Sequence, residues 1–467
     1  MKRLIALTLT VSLPVLLSAC SMAPDYARPV QPTPVSWPAG DAYLVQSEAS
    51  IPAISYRDIF RDTRLQALVE QALENNRDLR IAAANLAAAR AQVRVQRGQQ
   101  LPEIGVAAGV DRVRSDGDST TNYVLSGGIT AFELDLFGRL ANATQAERQR
   151  ALGSEAAART VRLALVSDIA SVWGTYATDA ELLRIAQSTA ANARRSVDLT
   201  RARLRGGIAP RTDVRQAELV LATAEGDVAS LQTALAQDIN LLQLLVGAPV
   251  DKALLTADLD EVVASIATLP AGTSSEVLLR RPDVLEAEYE LRAANADIGV
   301  ARAELFPTIS LTAIFGLASG ALDGLFTSGA FSRTIGGTAR YSIFSGGSAS
   351  ANVDVSEARR DAALAGYELA IQTAFREVAD ALARQGTIAE ELRAATMGVT
   401  ATSDNARLVE ARYRGGIDGF LDSLVAQRSL YSAQQTEAAT RLALVQNRIA
   451  LYRALGGDQA SDVSSGS

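Results

Sequence analysis

The chain repeats itself, and that duplication limits its possible folds more than any other feature. Asn75-Asn76-Arg77-Asp78-Leu79 matches Arg280-Arg281-Pro282-Asp283-Val284 at an offset of 205, and the same offset carries Leu101-Pro102 onto Phe306-Pro307. Further on, Arg203-Leu204-Arg205-Gly206-Gly207-Ile208 matches Arg412-Tyr413-Arg414-Gly415-Gly416-Ile417 at 209, and Gly247 and Gly456 keep that spacing. So small a drift over so long a stretch marks a tandem repeat rather than a coincidence of alanine-rich composition. The halves run over about 62–248 and 274–457, joined by a linker at 249–273 that contains Pro249 and Pro270. Each half reads helix, strand pair, very long helix, glycine turn, helix.

Proline placement supports the long helices. Between Ala141 and Arg205 there is no proline, and Gly153 and Gly174 are the interior glycines. A continuous helix of roughly 65 residues would span about 98 Å. The second half supports the pattern: Leu364, Tyr367, Ile371, Ala374, Val378 and Ala381 alternate steps of three and four, the heptad signature of packed helices. Each half also carries two alternating segments, at 102–114 and 123–134 and at 307–317 and 333–344. Strands of about 9–11 residues with alternating polarity suit an outer-membrane barrel. Four strands cannot close one, and an open edge is not tolerated in lipid, so a membrane barrel requires several copies of the chain.

Composition removes most chemistry. No histidine is present, which excludes the commonest general base and zinc ligand, and the single cysteine excludes a disulfide framework or a multi-cysteine metal site. Carboxylate pairs remain possible, so an enzyme is disfavoured rather than excluded, and the net charge of −7 argues against nucleic acid as a partner. The N-terminus reads as a signal peptide over 1–19: Lys2 and Arg3, an apolar run to Leu17, then small residues before Cys20. That ending resembles a bacterial lipobox, which implies cleavage before Cys20 and acylation of it; Ser21 in the next position favours the outer membrane. Loss of the two cations takes the net charge from −7 to −9. Residues 20–61 hold Pro24, Pro29, Pro32, Pro34, Pro38 and Pro52, and read either as a flexible tether or as an ordered extended arm along the body. Residues 458–467 read as a tail.

Taken together, the lipobox, the arm, the duplicated plan and both Arg-Gly-Gly turns resemble the TolC/OprM-type outer-membrane factors. The resemblance is nearest to the lipoprotein branch of RND efflux outer-membrane proteins, the NodT family. It covers the mature chain and rests on FELDLFGR (Phe132 to Arg139), RRPDVLEAEYELRAANADIGVARAELFPTISL (Arg280 to Leu311) and RYRGG (Arg412 to Gly416). It implies a mainly α protein with membrane β: a homotrimer with a 12-stranded outer-membrane β-barrel on a periplasmic α-helical barrel. It further implies a periplasmic adaptor and an inner-membrane pump of RND type as partners, in a drug exporter without catalytic site or cofactor. Type I protein secretion and metal efflux are the alternatives within the channel class.

By the same resemblance, the glycine turns are the periplasmic tips where an adaptor docks, through Arg205, Gly206, Gly207, Arg414, Gly415 and Gly416. Asp213 and Tyr413 match an interhelical locking pair, and Asp422 matches an acidic ring at the aperture. The family often places a second aspartate where this chain has Val425, so a second acidic layer is either absent or supplied by Asp418. The residues also have plainer uses: Asp213 can cap the returning helix, and Asp422 can sit as a first-turn carboxylate favoured by the helix dipole. Two other classes compete. A periplasmic adaptor lipoprotein uses long hairpins too, but not two matching halves with paired strands. An enzymatic lipoprotein using Glu286, Glu288 and Glu290 is disfavoured, because those residues read as a solvated helix face.

Overall fold

The computed structural model describes residues 21–40, 42–43, 55–115, 118–270 and 274–457. Cys20, the signal peptide and the tail lie outside them. The first half supplies helices α1 (Tyr56–Ile59), α2 (Thr63–Asn75) and α3 (Arg77–Gly98), strands β1 (Ile104–Ser115) and β2 (Asp118–Leu134), then α4 (Arg139–Arg205) and α5 (Arg211–Val246). A 3-10 turn (Lys252–Leu254), α6 (Leu259–Ser265) and a second 3-10 segment (Ser275–Arg280) lead into the second half. There follow α7 (Pro282–Ala303), β3 (Thr308–Ser319), β4 (Phe331–Arg340), α8 (Ser348–Arg414) and α9 (Phe420–Ala454).

Both long helices, α4 and α8, have 67 residues. Alanine, arginine and leucine are the commonest residues of the two helices together, all strong helix formers, and proline is absent until the turn. Among the described residues no helix is long and apolar enough to cross a membrane. Of the heptad positions, Tyr367, Ile371, Ala374 and Val378 are fully buried, and Ala381 nearly so.

The chain divides into two compact units, and these are not the two repeats. The first comprises 1–30, 83–157 and 285–370; the second comprises 31–82, 158–284 and 371–467. Each repeat therefore contributes to both units.

The first unit carries one four-stranded antiparallel sheet in the order β1-β2-β3-β4. The hairpin of each half is joined to the other through β2 and β3, with Leu125 opposite Leu317 and Ile129 opposite Ala313. Period-two alternation then sorts the side chains into faces. One face aligns Ile104, Ile129, Ala313 and Ile335 across the four strands, and Ala108, Leu125, Leu317 and Phe331 in the next row but one. The opposite face aligns Ala107, Ser126, Gly316 and Ser332, then Gly105, Gly128, Ile314 and Thr334. Ile104, Val106, Phe331 and Ile335 stand well exposed, so among the described residues nothing covers the apolar face. No described strand pairs with the outer edge of β1 or β4.

β1 and β3 differ by one or two residues at each end from the expected 102–114 and 307–317, and the larger differences are in β2 and β4. β2 starts at Asp118, before the expected 123, because Ser119, Thr120 and Thr121 pair with Arg114, Val113 and Arg112. β4 covers 331–340, whereas 333–344 was expected. Its partner β3 begins at Thr308, opposite Arg340, and Pro307 before it has no N–H to extend the ladder. Tyr341, Ile343 and Phe344 are left as exposed loop residues.

The proline-rich arm is ordered over its described residues. In the first unit, Ser21 Oγ donates to Asn142 at 2.9 Å, Asn295 Nδ2 donates to the Pro24 carbonyl at 2.7 Å, and Arg28 forms a two-pronged pair with Glu288 at 2.6 and 3.0 Å. In the second unit, the Ser275 amide donates to the Val35 carbonyl at 2.9 Å, and Trp37 packs on Phe375 with ring centroids 5.1 Å apart. The second unit also holds the larger apolar core, including Trp173, Phe60, Leu65, Leu68, Leu242, Ile266 and Tyr452.

Candidate functional site: the paired helix tips

The two glycine turns have the same backbone. In the first, the Gly207 amide donates to Leu204 O at 3.0 Å and the Ile208 amide to Arg203 O at 3.0 Å. In the second, Gly416 donates to Tyr413 O at 3.1 Å and Ile417 to Arg412 O at 2.9 Å. This is the Schellman pattern, which closes a helix with a left-handed residue. Gly207 and Gly416 take that place with φ of 74° and 73°. A side chain there costs about 1–2 kcal/mol. Gly207→Val and Gly416→Val should each lower stability by that amount, read as a lower melting temperature by circular dichroism in detergent, while Gly226→Ala, on an exposed helix face, should not. Arg205, Gly206, Gly207 and Ile208 are exposed, as are Arg414, Gly415, Gly416 and Ile417. Every residue expected at the tips is thus at the surface.

Below the turns the four long helices share a small apolar cluster. Val197 of α4, Ala217 of α5, Tyr413 of α8, and Phe420 and Leu424 of α9 are buried together. Tyr413 packs on Phe420 with ring centroids 5.7 Å apart, and the Arg203 guanidinium lies 4.4 Å from the centre of the Tyr413 ring. Such a cation over an aromatic face contributes about 0.5–2 kcal/mol. Burial pushes the Tyr413 phenol above its usual pKa, so it stays protonated at neutral pH.

The acidic residues separate into distinct roles. Asp418 is gripped by Arg412 through two hydrogen bonds of 2.7 and 2.8 Å, which hold its carboxyl below the usual range. It is an ion-paired group rather than a free acid. Asp422 accepts the Gly419 amide at 3.1 Å, closing the first turn of α9. Asp213 is its repeat mate at 209, the third residue of α5, but the position equivalent to Gly419 is Pro210. Proline has no N–H to donate. No side-chain cap forms on α5, and among the described residues nothing donates a hydrogen bond to the Asp213 carboxylate. Half-buried, it lies close enough to Tyr413 to raise that phenol's pKa, while the Arg203 guanidinium over the ring works in the opposite direction. The structure therefore brings Asp213, Tyr413 and Arg203 together and leaves Asp418 and Asp422 engaged elsewhere. Val425, where a second acid was missed, is exposed.

Sequence reading passed over Arg203 and Arg412, although both lie in the quoted repeat at an offset of 209. It also missed Tyr431, whose hydroxyl donates to Asp227 at 2.8 Å and so ties α9 to α5. Between α8 and α9 runs an open groove of about 570 Å³, lined by Ala395, Gly398, Ser429, Ser432 and Arg428. Among the described residues no group of three or more acids or cysteines is arranged to hold a metal.

A duplicated chain with a membrane-type sheet and paired 67-residue helices defines an outer-membrane channel subunit. The family model "Outer membrane efflux protein" matches residues 68–248 and 273–457, and the chain belongs to that family, one of transport channels. It is similar to the antibiotic efflux pump outer membrane protein ArpC of Pseudomonas putida, at 40% identity over 98% of this chain and 96% of that protein. The cation efflux system protein CusC of Escherichia coli is 37% identical over 94% of this chain and 96% of its own length. Among solved structures, the open-state MtrE outer membrane channel of Neisseria gonorrhoeae superposes with a TM-score of 0.84 at 34% identity, covering 94% of this chain and 98% of that one. The protein is an outer-membrane efflux duct of the Gram-negative type, reaching into the periplasm.

Proposed function

We propose that three copies of this chain assemble into one channel, whose 12-stranded barrel forms when the β4 edge of each copy pairs with the β1 edge of the next. The open edges of the four-stranded sheet and its uncovered apolar face support this reading, since lipid tolerates neither an unpaired strand nor a partial barrel. Acylation of Cys20 adds a second attachment to the membrane. Exposed tips, with Arg205, Gly206, Gly207, Arg414, Gly415 and Gly416, receive a periplasmic adaptor that couples the duct to an inner-membrane pump of RND type. The cargo is small toxic compounds or drugs. Cation efflux is the second reading, favoured by the likeness to a cation efflux protein at 37% identity.

The tips are also the gate, and Asp213 is its central residue. The observation that carries this is the Pro210–Gly419 difference, which leaves Asp213 without the capping role its mate Asp422 has. In the closed duct its carboxylate faces the Tyr413 phenol and Arg203. An interaction of about 1 kcal/mol alters a closed-to-open ratio about fivefold. Single-channel recording in planar bilayers tests it. Tyr413→Phe with Asp213→Ala should raise open probability about fivefold, and Asp422→Ala should raise conductance if three such groups ring the aperture. Unchanged records from both variants would rule out the gate.

A further inference from the structure

One face of α7 is built differently from its counterpart in the first repeat, and the difference faces the N-terminal arm. Glu288, Arg292, Asn295 and Gly299 follow steps of four, three and four, which place them along one side of the helix. Each meets the arm. Glu288, fully enclosed, accepts from Arg28 at 2.6 and 3.0 Å, from Tyr26 Oη at 3.3 Å and from Arg292 at 2.6 Å. The Arg292 guanidinium lies 4.8 Å from the centre of the Tyr26 ring. Asn295 donates to the Pro24 carbonyl at 2.7 Å. At Gly299 the arm comes so close that a Cβ would sit 2.7 Å from the Ala23 nitrogen and 2.5 Å from Asn142 Nδ2. One repeat earlier, at 205, the same positions on α3 are Ala83, Ala87, Arg90 and Arg94. Two methyls and two long cations cannot reproduce a buried carboxylate, an amide donor and a gap. No residue of α3 is buried. Within a duplicated fold, the features that one copy has and the other lacks serve something present once, and the arm is present once.

We propose that this stripe on α7 is a dedicated receptor for residues 21–28, an extended proline-rich segment carrying one tyrosine and one arginine, and that it fixes where the N-terminus leaves the body. Docking runs the arm from Arg28 beside Glu288 to Ala23 beside Gly299, and Ser21 then reaches Asn142 in the first turn of α4. That turn follows the end of β2 at Leu134 by only a few residues. The receptor therefore brings Ser21, the first described residue of the arm, close to the end of the sheet. Placement of an acyl anchor there rests on the proposed acylation of Cys20; the docking itself does not.

The test is proteolysis of the arm in the full-length, detergent-solubilised channel, with cuts between residues 21 and 43 located by mass spectrometry. Gly299→Leu fills the gap at Ala23 and Glu288→Ala removes the carboxylate; each should speed cutting of the arm about tenfold, the effect of losing roughly 1.4 kcal/mol of docking. Arg28→Ala, which leaves α7 untouched, should do the same even if the helix variants fail to fold. Arg94→Leu, the matching change in the first repeat, should leave the arm protected. Protection that survives Gly299→Leu and Arg28→Ala overturns the receptor. A Cys20→Ser chain exported on an ordinary signal peptide should keep its arm protected; loss of protection there would mean that the anchor, not α7, holds the arm. Whether Cys20 is acylated is read separately, from the mass of the N-terminal peptide, so the two readings fail independently.

Discussion

Replacing Gly128 by valine should leave a chain that is made and exported but forms no sheet, and so yields no heat-resistant oligomer in outer-membrane fractions. Gly128 sits in β2 opposite Ile314, next to the irregularity between Ile129 and Phe132, with φ of 147°. A Cβ there would lie 2.1 Å from the Ala313 carbonyl oxygen and 3.0 Å from Ile314 Cα. Backbone atoms cannot yield as a flexible side chain can, so β2 must separate from β3. That pairing joins the hairpin of one repeat to the hairpin of the other. Each hydrogen bond lost in lipid strands groups whose desolvation costs several kcal/mol. Gly109→Val is the control: a Cβ at Gly109 meets nothing within 4 Å, and its oligomer should run as the parent does. An intact oligomer from Gly128→Val would show that the seam is not where the strands must meet.

Arg281→Met should lower the stability of the second unit by about 3 kcal/mol. Arg281 is buried, and its guanidinium donates to the Ala454 carbonyl at 2.6 Å, to Asp283 at 2.7 and 3.0 Å, and to Glu377 at 2.8 Å. One side chain thereby fastens the start of α7, the middle of α8 and the end of α9. Burial works against its charge, yet the two carboxylates hold it above its usual pKa. Methionine keeps the volume and removes every bond. Asp283 and Glu377 are partly exposed and can rehydrate, which limits the loss, whereas the Ala454 carbonyl is left without its donor. The exposed Arg376–Asp380 pair is the comparison, and Arg376→Ala should change stability by less than about 0.5 kcal/mol. Melting followed by circular dichroism in detergent reads both. Equal melting temperatures for the two variants would deny Arg281 the role.

Much of this fold was legible because its signals are local and repeated. Proline-free runs, glycine turns and the offsets of 205 and 209 mark the long helices and their tips without any knowledge of tertiary packing. Strand ends were less legible, because they depend on the partner: β4 stops at Arg340 since β3 starts at Thr308, and nothing inside residues 341–344 announces it. Glu288 was misread as one of three solvated acids. Glu286 and Glu290, two residues either side, are exposed, but the cation that buries Glu288 lies 260 residues away in an arm that reads as a tether. At the tips the equivalence of Asp213 and Asp422 stands in the sequence, as does the proline that separates their environments. Its meaning appears only when the Gly419 amide is seen to donate to Asp422.

The interleaving of the repeats has a kinetic consequence. Ile129 must find Ala313 across 184 residues, and neither compact unit contains a complete half. Contacts so distant in sequence are slow to form, and the first repeat has no finished surface to fold onto while the second is still crossing the inner membrane. The chain must therefore travel with an uncompleted sheet and unburied apolar residues until its last third arrives. Duplication made the helices easy to encode, and it left the whole length to be delivered before any part can be final.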